Sequence, residues 1–172
     1  MTAGSLKRKT ASPASSPEWD AETPEVKKTV VKREQVMLTR VKKAFDKGGA
    51  FFFKIPDMPH MGGATRFDIE KPFDAFAVYG TRMLAIEAKA LPKMQAFGLR
   101  HIRYCQEVGL DAFLAAGGES WVLVGVESRI IPLEWRALRQ RFKKGSIKKA
   151  ELEAAPHMET PEEIARWLMT SG

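Results

Sequence analysis

The sequence predicts an α/β domain with a mixed central sheet flanked by helices. Three observations carry that prediction. Residues 26–47 repeat apolar side chains at three- and four-residue steps, with Val30, Met37, Val41, Ala44 and Phe45 on one helical stripe. Three short segments, 50–55, 73–79 and 82–90, then read as consecutive strands with an antiparallel start. A second helical stretch, 99–116, precedes the continuous apolar run "SWVLVGV" (120–126), which suits a central strand.

The punctuation between these segments supports each in turn. Gly48-Gly49 stops the first helix, and "AFFFKI" (50–55) follows as the first strand. "PDMPHMGGATRFDIEKP" is marked as a loop by its Pro and Gly residues. "FDAFAVY" and "RMLAIEAKA" flank Gly80-Thr81, a tight turn that makes 73–90 a hairpin. The helix over 99–116 presents Leu99, Ile102, Arg103, Gln106, Leu110, Phe113 and Leu114 and ends at Gly117-Gly118. "PLEWRALRQRF" (132–142) reads as an amphipathic helix, followed by the basic "KKGSIKK" (143–149). Thr160, Pro161 and Glu163 form a helix start, an N-cap with Pro in the first turn and Glu three residues on. The final helix, 161–169, is expected to pack Ile164, Trp167 and Leu168. Residues 1–24, rich in Ser, Thr, Pro and Ala, are expected to be a disordered, solvated tail, in which Lys7, Arg8 and Lys9 could touch a phosphate backbone loosely. Residues 25–172 are expected to form a single domain.

With 172 residues and 44% hydrophobic content the chain can bury a sizeable core. Its 28 Lys+Arg against 21 Asp+Glu give a formal charge of +7, which favours a polyanionic partner, nucleic acid before membrane. Cys105 is the single cysteine, so an intrachain disulfide and a cysteine zinc cluster are excluded. His60, His101 and His157 are scattered. No apolar run approaches the roughly 18 residues of a membrane span, and no hydrophobic signal region follows the basic N-terminus. The expected location is the cytoplasm, with nucleic acid as partner, no membrane and no small-molecule cofactor.

The segment "MLAIEAKAL" (83–91) holds Glu87 and Lys89 inside an otherwise apolar strand. Strand alternation puts these two on one face, with Leu84, Ile86 and Ala88 on the other. Asp74, on the partner strand of the hairpin, completes a compact charged cluster at what reads as a sheet edge. Unpaired charges there would be costly. A hard divalent cation between Asp74 and Glu87 would offset that cost. Mg²⁺ suits such a site, because it takes one or two carboxylates and keeps several waters. The carbonyl of Ala88 could supply a further oxygen. Lys89 would then orient or acidify a water, or stabilise charge developing on a phosphate. A salt bridge on an edge strand would account for the same charges without chemistry.

The stretch "KPFDAFAVYGTRMLAIEAKALPKMQAFGLRHIRYCQ" resembles the core of RecU-type Holliday junction resolvases, members of the PD-(D/E)xK nuclease superfamily. The pieces that match are an Asp opening a strand, a Gly-containing turn, Glu-Ala-Lys, then Phe97 and Leu99, and a Gln on the next helix. "AAGGESWVLVGV" resembles the family's Gly-Gly followed by an apolar strand. The resemblance covers roughly residues 70–127, about a third of the chain. It implies a restriction-endonuclease-like core and a structure-selective endonuclease that resolves four-way junctions with Mg²⁺, for which Mn²⁺ can substitute. It further implies Asp74 and Glu87 as metal ligands, Lys89 as the catalytic lysine, Gln106 as an accessory glutamine and Glu34 as the acid of the first helix. Family members carry a long stalk between the first two core strands, where this chain has only residues 57–71. A related nuclease acting on flap, nicked or linear DNA, or a non-catalytic junction-binding protein, would fit the same core. Bacterial and phage origins both fit.

For DNA contact, residues 26–47 and 127–150 each carry eight Lys/Arg against two acids. Arg66, Lys71, Arg82 and Lys93 lie near the hairpin in sequence and are expected to hold the scissile strand. Trp121, Trp135 and Trp167 are expected in the core. A junction has two strands to cut symmetrically, so one site per chain implies a two-fold homodimer.

Overall fold

The structure, a computed structural model, describes residues 24–56 and 71–170. The expected disordered tail and most of the short segment at 57–71, Arg66 included, lie outside the described residues. The elements run α1 (Pro24–Lys47), β1 (Phe51–Lys54), β2 (Ala75–Tyr79), β3 (Arg82–Leu91), a 3₁₀ turn (Leu99–His101), α2 (Tyr104–Ala115), β4 (Glu119–Val126), β5 (Arg129–Glu134), α3 (Trp135–Lys143), α4 (Lys149–Ala154) and α5 (Pro161–Thr170).

One sheet, in the order β1-β2-β3-β4-β5, organises them. All neighbours are antiparallel except β3 and β4, which run parallel. A parallel pair needs a crossover, and the segment carrying α2 supplies it. The mixed sheet flanked by helices is therefore as the sequence predicts. Leu84, Ile86 and Ala88 of β3 and Leu123 of β4 pack against Met37, Leu38, Val41 and Phe45 of α1 and Ile164 and Leu168 of α5. On the opposite face Ala85, Leu91, Val122, Val124 and Val126 pack with Phe97, Leu110, Trp135, Leu138 and Leu152. Trp135 is fully buried, and Trp121 and Trp167 meet edge to face at 5.0 Å against the first core, so all three serve packing.

Local chemistry explains the hairpin and the last helix. Gly80 takes φ 59° at the first position of a two-residue turn that pairs Tyr79 with Arg82, a conformation glycine adopts at no steric cost. At α5 the Glu163 N–H donates to Thr160 Oγ1 (3.2 Å), while Glu163 Oε2 accepts from the Thr160 N–H (3.3 Å), the reciprocal cap expected from the sequence.

Four expectations are corrected. β3 is the third of five strands, not a sheet edge, because β4 pairs with it along Leu84–Leu91 from a distance in sequence that no local pattern reveals. The second strand begins at Ala75, so Phe73 and Asp74 form a bend ahead of it. The helix expected over 99–116 is broken: Ile102 and Arg103 are extended between the 3₁₀ turn and α2. The helix expected over 132–142 begins only at Trp135, and Pro132 lies in β5. β5 is an edge strand, where a residue without an N–H is tolerated. Its hairpin with β4 gives no glycine signal, because Glu127 itself takes the left-handed φ of 53° in the two-residue turn.

That turn stores strain, since a left-handed backbone costs a residue with a Cβ about 1–2 kcal/mol. Glu127→Gly is expected to raise stability by about 0.5–1 kcal/mol after glycine's own entropic cost. Urea unfolding measures it; an unchanged or lowered midpoint would show that the turn is relaxed.

Candidate functional site

The site arises where β2 stops and β3 continues. The ladder between them reaches Asp74, whose N–H donates to the Ile86 carbonyl (3.1 Å), and goes no further. On that side of β3 the next inward-facing N–H groups are those of Ala88 and Ala90. Asp74 Oδ2 accepts from the Ala88 N–H (2.9 Å), and Glu34 Oε1 of α1 accepts from the Ala90 N–H (2.9 Å). Two carboxylates thus replace the missing strand as acceptors, and both are fixed by backbone rather than by flexible partners.

On the α2 face of β3, Glu87 is 1% exposed. Its Oε1 accepts from Gln106 Nε2 (2.5 Å) and lies 2.8 Å from Lys89 Nζ. Gln106 Oε1 accepts from Lys89 Nζ (3.0 Å) and from the Arg103 N–H (2.9 Å). The helix break explains this reach. Restarting α2 at Tyr104 makes Gln106 its third residue, and its amide caps the new N-terminus while facing Glu87 and Lys89. Asp74 Oδ1 pairs with Lys71 Nζ at 2.7 Å.

These groups line a small cavity of about 130 Å³ together with Lys54, Arg103, Val31, Gln35 and Leu38. Glu34, Asp74, Glu87, Lys89, Gln106 and Lys71, all named from the sequence, are therefore brought together. Two others are not. Arg82 lies at the opposite end of β3, bidentate to Glu119 (2.7 Å each) and donating to the Met169 carbonyl (3.0 Å). Lys93 is exposed just past β3 and is not among the cavity's lining residues. Arg66 is outside the described residues.

Lys54 and Arg103 were not anticipated. Lys54 ends β1 opposite Ala75, one residue from Asp74, and a β1–β2 register would have pointed to it. Gly109 was missed as well. A Cβ on it would stand 2.3 Å from Pro72 Cβ and 2.6 Å from the Pro72 carbonyl oxygen. Only glycine lets the Lys71–Asp74 bend lie this close to α2.

The electrostatics leave one group unresolved. Burial first, and the Asp74 carboxylate second, push Glu87 up to about 8, against the opposing pull of Lys89. Burial likewise raises Glu34 above the usual carboxylate range, the Ala90 N–H pulling the other way. Glu87 Oε2 is buried without a hydrogen-bond partner among the described residues. A buried carboxylate oxygen left bare calls for a proton or a cation. No three His, Cys, Asp or Glu side chains among the described residues form a metal-binding group. Any ion here would thus have Asp74 and Glu87, and the Ala88 carbonyl on the same strand, with water filling the rest. That sparse oxygen set fits Mg²⁺ and not a metal that demands an all-protein cage.

No protein-family model and no curated protein matches the chain. Among solved structures it is similar to Hjc, a Holliday junction resolvase from the archaeal hyperthermophile Archaeoglobus fulgidus, at 18% identity and a TM-score of 0.47, over 78% of this chain and 97% of that one. Likeness at this level decides nothing about chemistry, which rests on the side chains themselves.

Two outcomes follow from the geometry. In an exposed helix Gly→Ala stabilises by about 1 kcal/mol, but Gly109→Ala must displace the Pro72 backbone. It is expected to destabilise by about 1–3 kcal/mol in urea unfolding; a stabilised variant would mean that the bend is not held by this contact. For Glu87 the unfolded carboxyl gives up its proton near 4.5 and the folded one near 8, so folding takes up a proton between those values. Its contribution to stability is then present at low pH and lost as pH rises through that window. Metal-free Glu87→Gln should gain in Tm relative to wild type from pH 5 to pH 8, and Mg²⁺ should raise the wild-type Tm more at pH 8 than at pH 5. A pH-independent difference between the two proteins would rule out this account.

Proposed function

We propose that the protein is a Mg²⁺-dependent, structure-selective DNA endonuclease of the PD-(D/E)xK type, and that its substrate is the four-way junction cut by RecU-type resolvases. The observation that carries this reading is the convergence of Asp74, Glu87 and Lys89 where β2 ends, with Glu87 Oε2 buried and bare. Asp74, Glu87 and the Ala88 carbonyl would hold the cation, with Mn²⁺ able to substitute. Bound there, it supplies positive charge to the oxygens of the scissile phosphate and acidifies water at the site.

The chain's own residues do the rest. Lys89, held between Glu87 (2.8 Å) and Gln106 (3.0 Å), presents its ammonium to the cavity, where it orients the attacking water and stabilises charge growing on the phosphate. Gln106 fixes that ammonium, because its amide oxygen is pinned by the Arg103 N–H. Glu34 holds the end of β3 in place through Ala90 and adds negative charge that favours the cation. Lys71, Lys54 and Arg103 also line the cavity and suit contacts to flanking phosphates. Water attacks phosphorus in line, the P–O3′ bond breaks, and the products carry 5′-phosphate and 3′-hydroxyl ends. Two symmetric cuts require two sites, and we infer a two-fold homodimer acting in the cytoplasm.

Cleavage of a labelled, immobile four-way junction tests the reading, with and without Mg²⁺, for wild type and Asp74→Asn. The asparagine can still accept from the Ala88 N–H, so the fold is kept while a ligand charge is lost. Paired symmetric nicks that need the metal and fall by more than about 100-fold in the variant are expected. Preferential cutting of flap, nicked or linear DNA would keep the nuclease and replace its substrate. Junction binding without cleavage by wild type would leave Lys89–Glu87 and Lys71–Asp74 as structural ion pairs.

A further inference from the structure

A second cavity, of about 590 Å³, lies on the other flank of α1. Its walls are Thr29, Lys32, Arg33, Val36, Met37 and Arg40 of α1 on one side, and Gly125, the β4–β5 turn (Glu127, Ser128) and Arg129 on the other, with Glu159 and Pro161 closing one end. Its floor is apolar: Met37, Ala90, Leu91 and Ile130. Four cations, Lys32, Arg33, Arg40 and Arg129, stand against two acids, and none of the four is engaged in an ion pair among the described residues.

This combination selects a ligand class. Unpaired cations above an apolar floor fit a ligand with anionic groups along one edge and flat apolar surface on the other. The volume falls within the range of about 300–1,000 Å³ of clefts that enclose small ligands. That admits separate nucleotides and not a duplex, whose bases face each other. Arginine guanidinium planes also stack on bases and fork onto phosphates. Gly125 contributes by omission: a Cβ there would stand 3.1 Å from Met37 Sδ, at the foot of the floor.

The cleft is not the cavity of the active site, yet the two share α1 and meet at one bond. Ala90 lines the cleft floor while its N–H is held by Glu34, which lines the site. A strand crossing α1 near Glu34 would therefore have one phosphate at the site and its next nucleotides in the cleft.

We propose that this cleft binds an unpaired stretch of a nucleic-acid strand, with phosphates on Arg33, Arg129, Lys32 and Arg40 and bases over Met37, Leu91 and Ile130. That the strand belongs to the DNA being cut rests on the proposed endonuclease reading; the binding itself does not. The test uses the full chain and a fluorescent ten-nucleotide oligo-dT, with affinity read by anisotropy across a salt series. Arg33→Ala/Arg129→Ala is expected to weaken binding by about ten-fold and to lower the salt slope by about 1.4, the loss of two single-strand phosphate contacts. Val36→Glu, at a half-exposed position, should weaken it without touching a buried side chain. Lys144→Ala/Lys149→Ala, an equal charge change at exposed positions that do not line the cleft, should change it less than about three-fold. Equal losses in the two double variants would overturn the proposal in favour of diffuse charge, as would no loss in either. A poly-glutamate decamer binding as tightly as oligo-dT would overturn it in favour of an acidic peptide. A wild type that binds oligo-dT through the cleft but cuts nothing sinks the nuclease reading and leaves this one standing.

Discussion

The rest of the site depends on one unfinished ladder. β2 begins only at Ala75, while its antiparallel partner β3 runs on past that point to Leu91. A strand in the middle of a sheet that loses a neighbour leaves N–H groups facing protein instead of a partner strand, and each unsatisfied one costs about 1–3 kcal/mol. Water could meet such groups at an open edge. Here α1 covers one face and α2 the other, and Ala88 and Ala90 are buried. The acceptors must come from side chains, and carboxylates make the stronger bonds. Asp74 and Glu34 therefore answer a structural demand that exists whether or not the protein acts on anything. Having been drawn there, they sit beside Glu87, and the concentration of negative charge is a by-product of finishing the sheet.

Glu87 is different, because no backbone group asks for it. Its parity on β3 sends it to the α2 face, beside Val122 of β4, which belongs to the apolar core on that side. Instead the chain keeps a carboxyl with one oxygen bare and surrounds the other with Gln106 and Lys89. Burying a charge this way lowers stability unless it is neutralised. The two lysines beside Asp74 and Glu87 supply that neutralisation only in part, since the Glu87 carboxyl still holds its proton to about 8. A residue that weakens the fold and occupies a position where an apolar one would strengthen it is the kind that function retains.

What was legible in the sequence follows from how local each determinant is. Alternation along "IEAK" places Glu87 and Lys89 together because the period of a strand is two, wherever the strand lies. Gly80 and the Thr160–Glu163 pair announce a turn and a cap through their own side chains. The position of β3 in the sheet was not legible, because its parallel partner is contributed by a segment more than thirty residues away and no side chain encodes that pairing. Pro132 hid β5 for a related reason: it reads as a helix start until the strand is known to be an edge. A resemblance singles out Gln106, but its geometry comes from the break at Ile102–Arg103. A continuous helix over 99–116, which the apolar spacing favoured, would leave Gln106 in mid-helix, with no N-terminus to cap. Gly109 gave no signal at all, since a glycine inside a helix reads as a weakness until Pro72 is seen against it.

The one parallel pair in the sheet also explains why both cavities lie where they do. β3 and β4 run together toward their C-terminal ends, and there their neighbours have stopped or turned away: β2 before the site, and the β4–β5 turn beside the cleft. In sheets of this kind a crevice forms outside the carboxyl ends of the strands at the point where connections diverge. α1 lies across that crevice and divides it, with Val31, Glu34, Gln35 and Leu38 toward the acids and Lys32, Arg33, Val36 and Arg40 toward the cations. One helix thus separates a cavity in which three carboxylates meet their lysines from a cleft in which four cations stand against two acids, over the width of its own body.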